Sequence, residues 1–156
     1  MSRAAGALGA TVAAAAAVAV AIRRRRRDSR TIVRRYFEAW AECDADSLVD
    51  LLSDDYCGHV HTVAGIEERT PDELAAVVER HGDAFEWTDF DVRDVLRDDG
   101  RVAARVVMRA KHKETAREGE IEGLAIFRIR DGRVAEEWSS WDYLGLAEQL
   151  GLADMS

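Results

Sequence analysis

The apolar period of this chain changes once, at Trp87. Before that residue, apolar positions recur at helical spacing; after it they alternate. A helix presents one face every 3.6 residues and a strand every second residue. The change therefore divides the chain into a helical first part and a stranded second part. In the first part Ile32, Val33, Tyr36, Phe37 and Trp40 form one broad stripe behind a candidate cap at Asp28 or Ser29. Asp44-Ala45-Asp46 interrupts the stripe, and Leu48, Val49, Leu51 and Leu52 mark a short second helix. Tyr56 to Val63 reads as an extended segment. Thr70-Pro71-Asp72-Glu73 then has the order of a capping box with proline at the first helical position. Leu74, Val77, Val78, His81 and Phe85 share a face of the helix that follows.

The second part reads as four strands: Trp87 to Leu96, Arg101 to His112, Gly119 to Arg130 and Arg133 to Asp142. Asp98-Asp99-Gly100 and Arg130-Asp131-Gly132 are hairpin turns. Leu144, Leu146 and Leu150 suggest a short closing helix. No strand–helix alternation or internal repeat is visible. The order predicts an α+β domain, with helices segregated to one face of a curved antiparallel sheet.

Composition narrows the function classes. A chain of 156 residues that is 47% apolar has one domain's worth of core and is not disordered. Six of the 22 basic residues precede residue 28 and none of the 30 acidic ones do, so the remainder carries 16 basic against 30 acidic groups. That balance argues against nucleic acid or an anionic lipid surface as a partner of the domain. Lys111 and Lys113 are the only lysines. Acidity with lysine depletion fits a halophilic protein, and the competing explanation is a GC-rich genome. Cys43 and Cys57 cannot form a disulfide framework and read as ordinary thiols of a reducing compartment.

Residues 1–27 stand apart from the domain at 28–156. Ala4 to Ile22 is a 19-residue stretch without charge, followed by five arginines. Its length suits a bilayer core of about 30 Å, but its alanine content gives little drive for insertion. It reads as a transmembrane anchor or as a low-complexity leader. In either case the arginine cluster keeps the domain on the cytoplasmic side.

Three segments carry a family likeness: IVRRYFEAWAECDADSLVDLLSDDY, TPDELAAVV, and GLAIFRIRDGRVAEEWSSWDYLGLAEQLG. Together they resemble the SnoaL-like polyketide cyclase family of the nuclear-transport-factor-2-like superfamily, over residues 30–151. The resemblance implies a cone-shaped α+β barrel, its sheet wrapped around the N-terminal helices and a deep apolar cavity inside. It implies an intramolecular aldol ring closure of a small apolar ligand, with no metal and no organic cofactor. It implies pairing as a homodimer through the outer sheet face, to which Val106 and Met108 on a long strand were candidates to contribute. The family's acid/base Asp falls on Ser139 and its His on Ala125. A serine hydroxyl without an adjacent base does not remove a carbon-bound proton near neutral pH.

The remaining acid/base candidate depends on register. A three-residue loop at Arg130-Asp131-Gly132 would place Ala125, Phe127, Glu137, Ser139 and Trp141 on one face, toward the cavity. A two-residue turn would instead put Trp138, Ser140 and Asp142 there. On the first register Glu137 is a candidate catalytic residue; the competing reading is a rim glutamate paired with Arg105 or Arg109. Asp142 is a second acidic candidate, or simply a helix cap. His59 and His61 share a strand face and read as pocket-lining or plain surface histidines rather than as two metal ligands, since no third ligand is evident in the spacing. Trp40, Tyr56, His59, His61, Phe85, Phe127, Ser139 and Trp141 complete the candidate pocket. Two functions stay open: a cyclase or isomerase independent of cofactors, and a ligand-binding or pairing module that has lost the cyclase acid/base.

Overall fold

The computed structural model describes residues 29–153. The Ala-rich segment, the arginine cluster and the candidate cap Asp28 lie outside the described residues. Among the described residues no helix is long and apolar enough to cross a membrane. The elements are α1 (29–42), α2 (Ala45–Asp50), β1 (Leu52–Thr62), β2 (Gly65–Arg69), α3 (Pro71–Ala84), β3 (Phe85–Asp98), β4 (Arg101–His112), β5 (Glu118–Arg130), β6 (Arg133–Trp141) and α4 (Tyr143–Gln149).

Local chemistry fixes the helix boundaries. Cys43 leaves α1 at a φ of 54°, and Asp44 caps α2 by accepting from the Ser47 amide at 2.9 Å. The capping box of α3 is closed on both sides: the Thr70 amide donates to Glu73 Oε2 at 2.8 Å, and the Glu73 amide donates to Thr70 Oγ1 at 3.4 Å. Asp142 caps α4, its Oδ1 accepting from the Gly145 amide at 2.9 Å, so the cap reading of that residue holds.

The strands form one six-stranded sheet in the order β2-β1-β6-β5-β4-β3. Two features correct the sequence expectation. The sheet is not closed into a barrel: β2 and β3 are free edges, and α3 packs against both of them and against β1. Nor is it wholly antiparallel, since β1 runs parallel to β6. The extended segment expected at Tyr56 to Val63 lies within the β1 end of a β1–β2 hairpin, and β2 itself is not anticipated by the sequence pattern. That strand, GIEER, buries none of its residues, so it has no apolar alternation to betray it.

The register of β6 also differs from expectation in its cause. Asp131 and Gly132 have φ of 51° and 77°, and Arg130 pairs with Arg133, so the turn has two residues. The extra residue sits further on, as an irregularity opposite Arg128 and Ile129. Val134 and Ala135 are there buried in succession, and the Val134 amide donates to Leu51 O at 2.8 Å. Beyond this bulge Phe127 pairs with Glu137, Ala125 with Ser139 and Gly123 with Trp141. The odd-numbered residues of β6 therefore share the inner face after all.

Helices α1, α2 and α3 cover that face over a core that includes Val33, Tyr36, Leu48, Val78, Val106 and Phe127, each at most 1% exposed. A second cluster under α4 holds Met108, Ile121 and Leu146, and Phe90 and Trp141 touch both clusters. Val106 and Met108 are thus interior residues and cannot contribute to a pairing surface. Among the outward side chains of the central strands, Leu124 and Ile126 of β5 are apolar and exposed. Beside them, Arg105 pairs with Asp94 and Glu122, and Arg109 with Asp89 and Glu120.

The Trp141 ring lies over Gly123, its partner on β5, and a Cβ built on Gly123 would overlap the indole. Gly123→Ala is expected to destabilise the fold by about 1–3 kcal/mol, the usual cost of overpacking. Chemical denaturation of the two proteins, compared at equal slope, checks this.

Candidate functional site

An apolar cavity of about 160 Å³ lies between the helices and the inner face of the sheet. Helix α1 contributes Tyr36, Phe37 and Trp40 to its wall because the stripe that faces the core continues past the sheet contact. Strand β6 contributes Glu137, Ser139 and Trp141, three successive inner-face positions. Arg69, at the end of β2, and Tyr143, at the start of α4, also line it.

Glu137 is the polar centre of this wall. It is 5% exposed, and its Oε2 accepts hydrogen bonds from the Tyr36 hydroxyl at 2.5 Å and the Tyr56 hydroxyl at 2.9 Å. Neither tyrosine engages Oε1. The arrangement joins three elements: Tyr36 comes from α1, Tyr56 from β1 and Glu137 from β6. Gly58 makes the Tyr56 contact possible. It is the register partner of Glu137 on β1, and a Cβ there would lie 2.5 Å from the Tyr56 hydroxyl. Burial first, and the Glu137 charge second, push both phenols above their ordinary value of 10.0. Both are therefore protonated donors near neutral pH. The rim-glutamate alternative is excluded by geometry, since Arg105 and Arg109 pair with other carboxylates.

The structure distributes the other sequence candidates unevenly. Trp40, Phe85, Ser139 and Trp141 are on the cavity wall. Tyr56 touches Glu137 from behind the wall. Phe127 and Ala125 are buried beneath it; Phe127 packs edge-on against Tyr36 with ring centres 5.1 Å apart. His59 and His61 are not in the pocket. Tyr56, Gly58 and Val60 point inward, so the odd positions of β1 point outward. His59 lies on the outer face, its Nε2 3.2 Å from Glu136 Oε1, and His61 is exposed. The same outer face brings Cys57, His59 and Glu68 together, a grouping invisible in the spacing because Glu68 arrives from β2.

Sequence reasoning missed Tyr36 as a polar group, Gly58, Arg69 and His81. For Tyr36 a signal existed: a tyrosine on a buried stripe needs a partner for its hydroxyl. His81, first read as an ordinary helix-face residue, lines the cavity with its Nε2 2.8 Å from Thr88 Oγ1. Burial holds its pKa down to about 4, so the imidazole is neutral near pH 7.

A family model, that of the SnoaL-like polyketide cyclase, matches residues 30–150. The chain belongs to the SnoaL-like polyketide cyclase family. No curated protein sequence matches it. Among solved structures it is similar to wild-type IdmH, a putative polyketide cyclase from Streptomyces antibioticus, at 26% identity and a TM-score of 0.69, covering 78% of this chain and 96% of that one. TsrD from Streptomyces laurentii is 23% identical with a TM-score of 0.70, over 82% of this chain and 98% of that one. A protein of ketosteroid isomerase-like fold from Catenulispora acidiphila is 17% identical with a TM-score of 0.71, over 78% and 93%. These last two share the fold. In this SnoaL-like chain Ala125 and Ser139, the positions at which the sequence resemblance leads one to expect the family's acid/base pair, are direct cross-strand partners. The Phe127–Glu137 pair is the adjacent rung on the same face.

The His81 imidazole makes the fold sensitive to acid. Folded, it takes a proton only near pH 4; unfolded, it does so near its ordinary 6.5. Its contribution to stability is complete above pH 6.5 and is lost as pH falls from 6.5 toward 4. Thermal melts across this range are expected to show a decline in Tm that is shallower in His81→Gln.

Proposed function

We propose that this protein is an acid/base enzyme of the cyclase or isomerase type, independent of cofactors, acting on a small apolar carbonyl compound in the cavity. Glu137 is its proton-transferring group. The observation that supports this reading is the buried carboxylate whose Oε2 takes both tyrosine hydrogen bonds, leaving Oε1 to a ligand.

The chemistry requires a base within reach of a proton on the carbon next to a carbonyl, and little water. Glu137 takes that proton, and the C–H electron pair moves into the carbonyl to give an enolate. Return of the proton to a different carbon is isomerisation. Attack of the enolate carbon on a second carbonyl of the same molecule is ring closure, forming a carbon–carbon bond and an alkoxide that is then protonated. Tyr36 and Tyr56 hold the carboxylate in one orientation throughout. The Ser139 hydroxyl, one inner-face position along β6, is a donor for the developing oxyanion.

Cavity size narrows the substrate. A volume of about 160 Å³ is close to the roughly 150 Å³ of an apolar cavity that takes a benzene ring. Pockets for larger ligands run to about 300–1,000 Å³. The substrate class is accordingly a carbonyl compound of one ring or a short chain. The competing reading, a binding module without turnover, draws on Ala125 and Ser139 at the family's acid/base positions.

Exchange of the α-protons of monocyclic ketones and enones in deuterated water, followed by NMR, separates the two. The wild-type protein is expected to accelerate exchange. Glu137→Gln should reduce the acceleration by about 10²–10⁴-fold, the usual contribution of a general base. The same ligands should still raise its Tm; a ligand at 100 times its Kd stabilises a fold by about 2.7 kcal/mol. Exchange undiminished in Glu137→Gln would refute the assigned role. A thermal shift without exchange would favour the binding module.

A further inference from the structure

The outer face of the sheet carries a second constellation, on the opposite side of β1 from the cavity. Cys57 and His59 project from this face as successive outward residues. Glu68 is the direct cross-strand partner of His59 on β2. The Sγ of Cys57, a ring nitrogen of His59 and a carboxylate oxygen of Glu68 all lie within 4.8 Å of one another. His59 Nδ1 is 3.7 Å from Glu68 Oε1. Donors bound tetrahedrally to zinc at bonds of about 2.0–2.3 Å stand roughly 3.3–3.8 Å apart, so a small inward adjustment completes the triangle.

We propose that Cys57, His59 and Glu68 form a binding site for a zinc-class divalent cation. A thiolate, an imidazole and a carboxylate together select this class over magnesium or calcium, which take oxygen donors. Three protein ligands leave a fourth position to solvent, and Glu68 is on the exposed side of the group.

The surroundings of His59 favour this use of its ring independently of the ligand triangle. Metal-binding histidines bond through one nitrogen and donate the other N–H to a carboxylate or carbonyl. Here Nδ1 faces Glu68, while Nε2 is 3.2 Å from Glu136 Oε1. Glu136 is held in turn by Arg128, whose Nη1 is 3.2 Å from Oε2. The ring stacks on Trp138 at 5.4 Å with planes 14° apart, which fixes its rotation.

The site has a structural consequence. Strand β2 buries no side chain and is held to β1 by its backbone ladder. A cation on Glu68 adds a side-chain tie between the two strands, one residue before Arg69 at the cavity wall.

Zinc itself is the probe. The full chain, stripped with chelator and dialysed against zinc, is expected to retain one ion per chain and to melt at a higher temperature. Cobalt(II) in its place should give a thiolate-to-metal charge-transfer band. Cys57→Ser should abolish that band, and Cys57→Ser and His59→Ala should each weaken zinc binding by at least about tenfold. Glu136→Gln should weaken it by roughly 10–100-fold, as for other residues that orient a ligand. Cys43→Ser, at the end of α1 and outside the site, should bind zinc as the wild type does. Absence of retained zinc, or zinc retained equally by Cys57→Ser, would overturn the proposal; the second result would mean adventitious binding to surface carboxylates.

Discussion

The burial of the Glu137 carboxylate is the constraint on which the interior of this protein depends. An unpaired carboxylate in an apolar site costs several kcal/mol, and among the described residues no arginine or lysine forms an ion pair with Glu137. Two phenols do the compensating instead, at 2.5 and 2.9 Å. Hydrogen bonds to a charged group contribute about 1.5–3 kcal/mol each, so the pair is of the right size to offset the burial. The consequence is geometric. Tyr36 ties α1 to the sheet, Tyr56 ties β1 to β6, and neither can move without leaving a buried charge unsatisfied. The packing of Phe127 against Tyr36 is set by the same contact.

This dependence gives meaning to the parallel pairing of β1 and β6. A parallel neighbour brings Gly58 level with Glu137 and leaves Tyr56 two positions earlier on the same face. The absence of a side chain at Gly58 lets the phenol fold back over the strand to the carboxylate. The result is a buried polar cluster of one acid and two donors inside an otherwise apolar cavity. Such clusters fix a single arrangement of their surroundings when every member is satisfied.

The large elements of the fold were legible because they are written in period. The α1 stripe, the capping box at Thr70 and the two aspartate–glycine turns each follow from local chemistry. The inner face of β6 was assigned to the right residues for the wrong reason: a three-residue loop was inferred where a two-residue turn and a bulge at Val134–Ala135 occur. Either device shifts the register by one, and alternation alone does not tell them apart. What stayed hidden were relations between strands. Strand β2 has no apolar signal, so neither its pairing with β1 nor the approach of Glu68 to His59 was visible. Grouping His59 and His61 with Tyr56 in one pocket ignored the alternation of β1 itself. Tyr36 belongs to the core stripe of α1, and its hydroxyl partner comes from β6, which helical spacing does not reveal.

The position of Glu137 bears on how this chain differs from the family pattern it otherwise follows. By the sequence resemblance the family's acid/base positions are expected on the Ala125–Ser139 rung; the carboxylate here is on the next rung, Phe127–Glu137. A shift of two residues preserves the face and moves the group by about 7 Å along the strand. A shift of one would have turned it out to solvent. On the functional reading proposed above, the displacement carries the reacting centre to the place where α1 and β1 supply hydroxyl donors, and away from the Ala125–Ser139 rung. A ligand that reaches Glu137 must then fit between Tyr36, Trp40 and Trp141, which is the space of about 160 Å³ that the cavity provides. On that reading the Glu137 carboxylate and the small cavity make one consistent requirement: a substrate compact enough to bring its acidic carbon to the Glu137 rung.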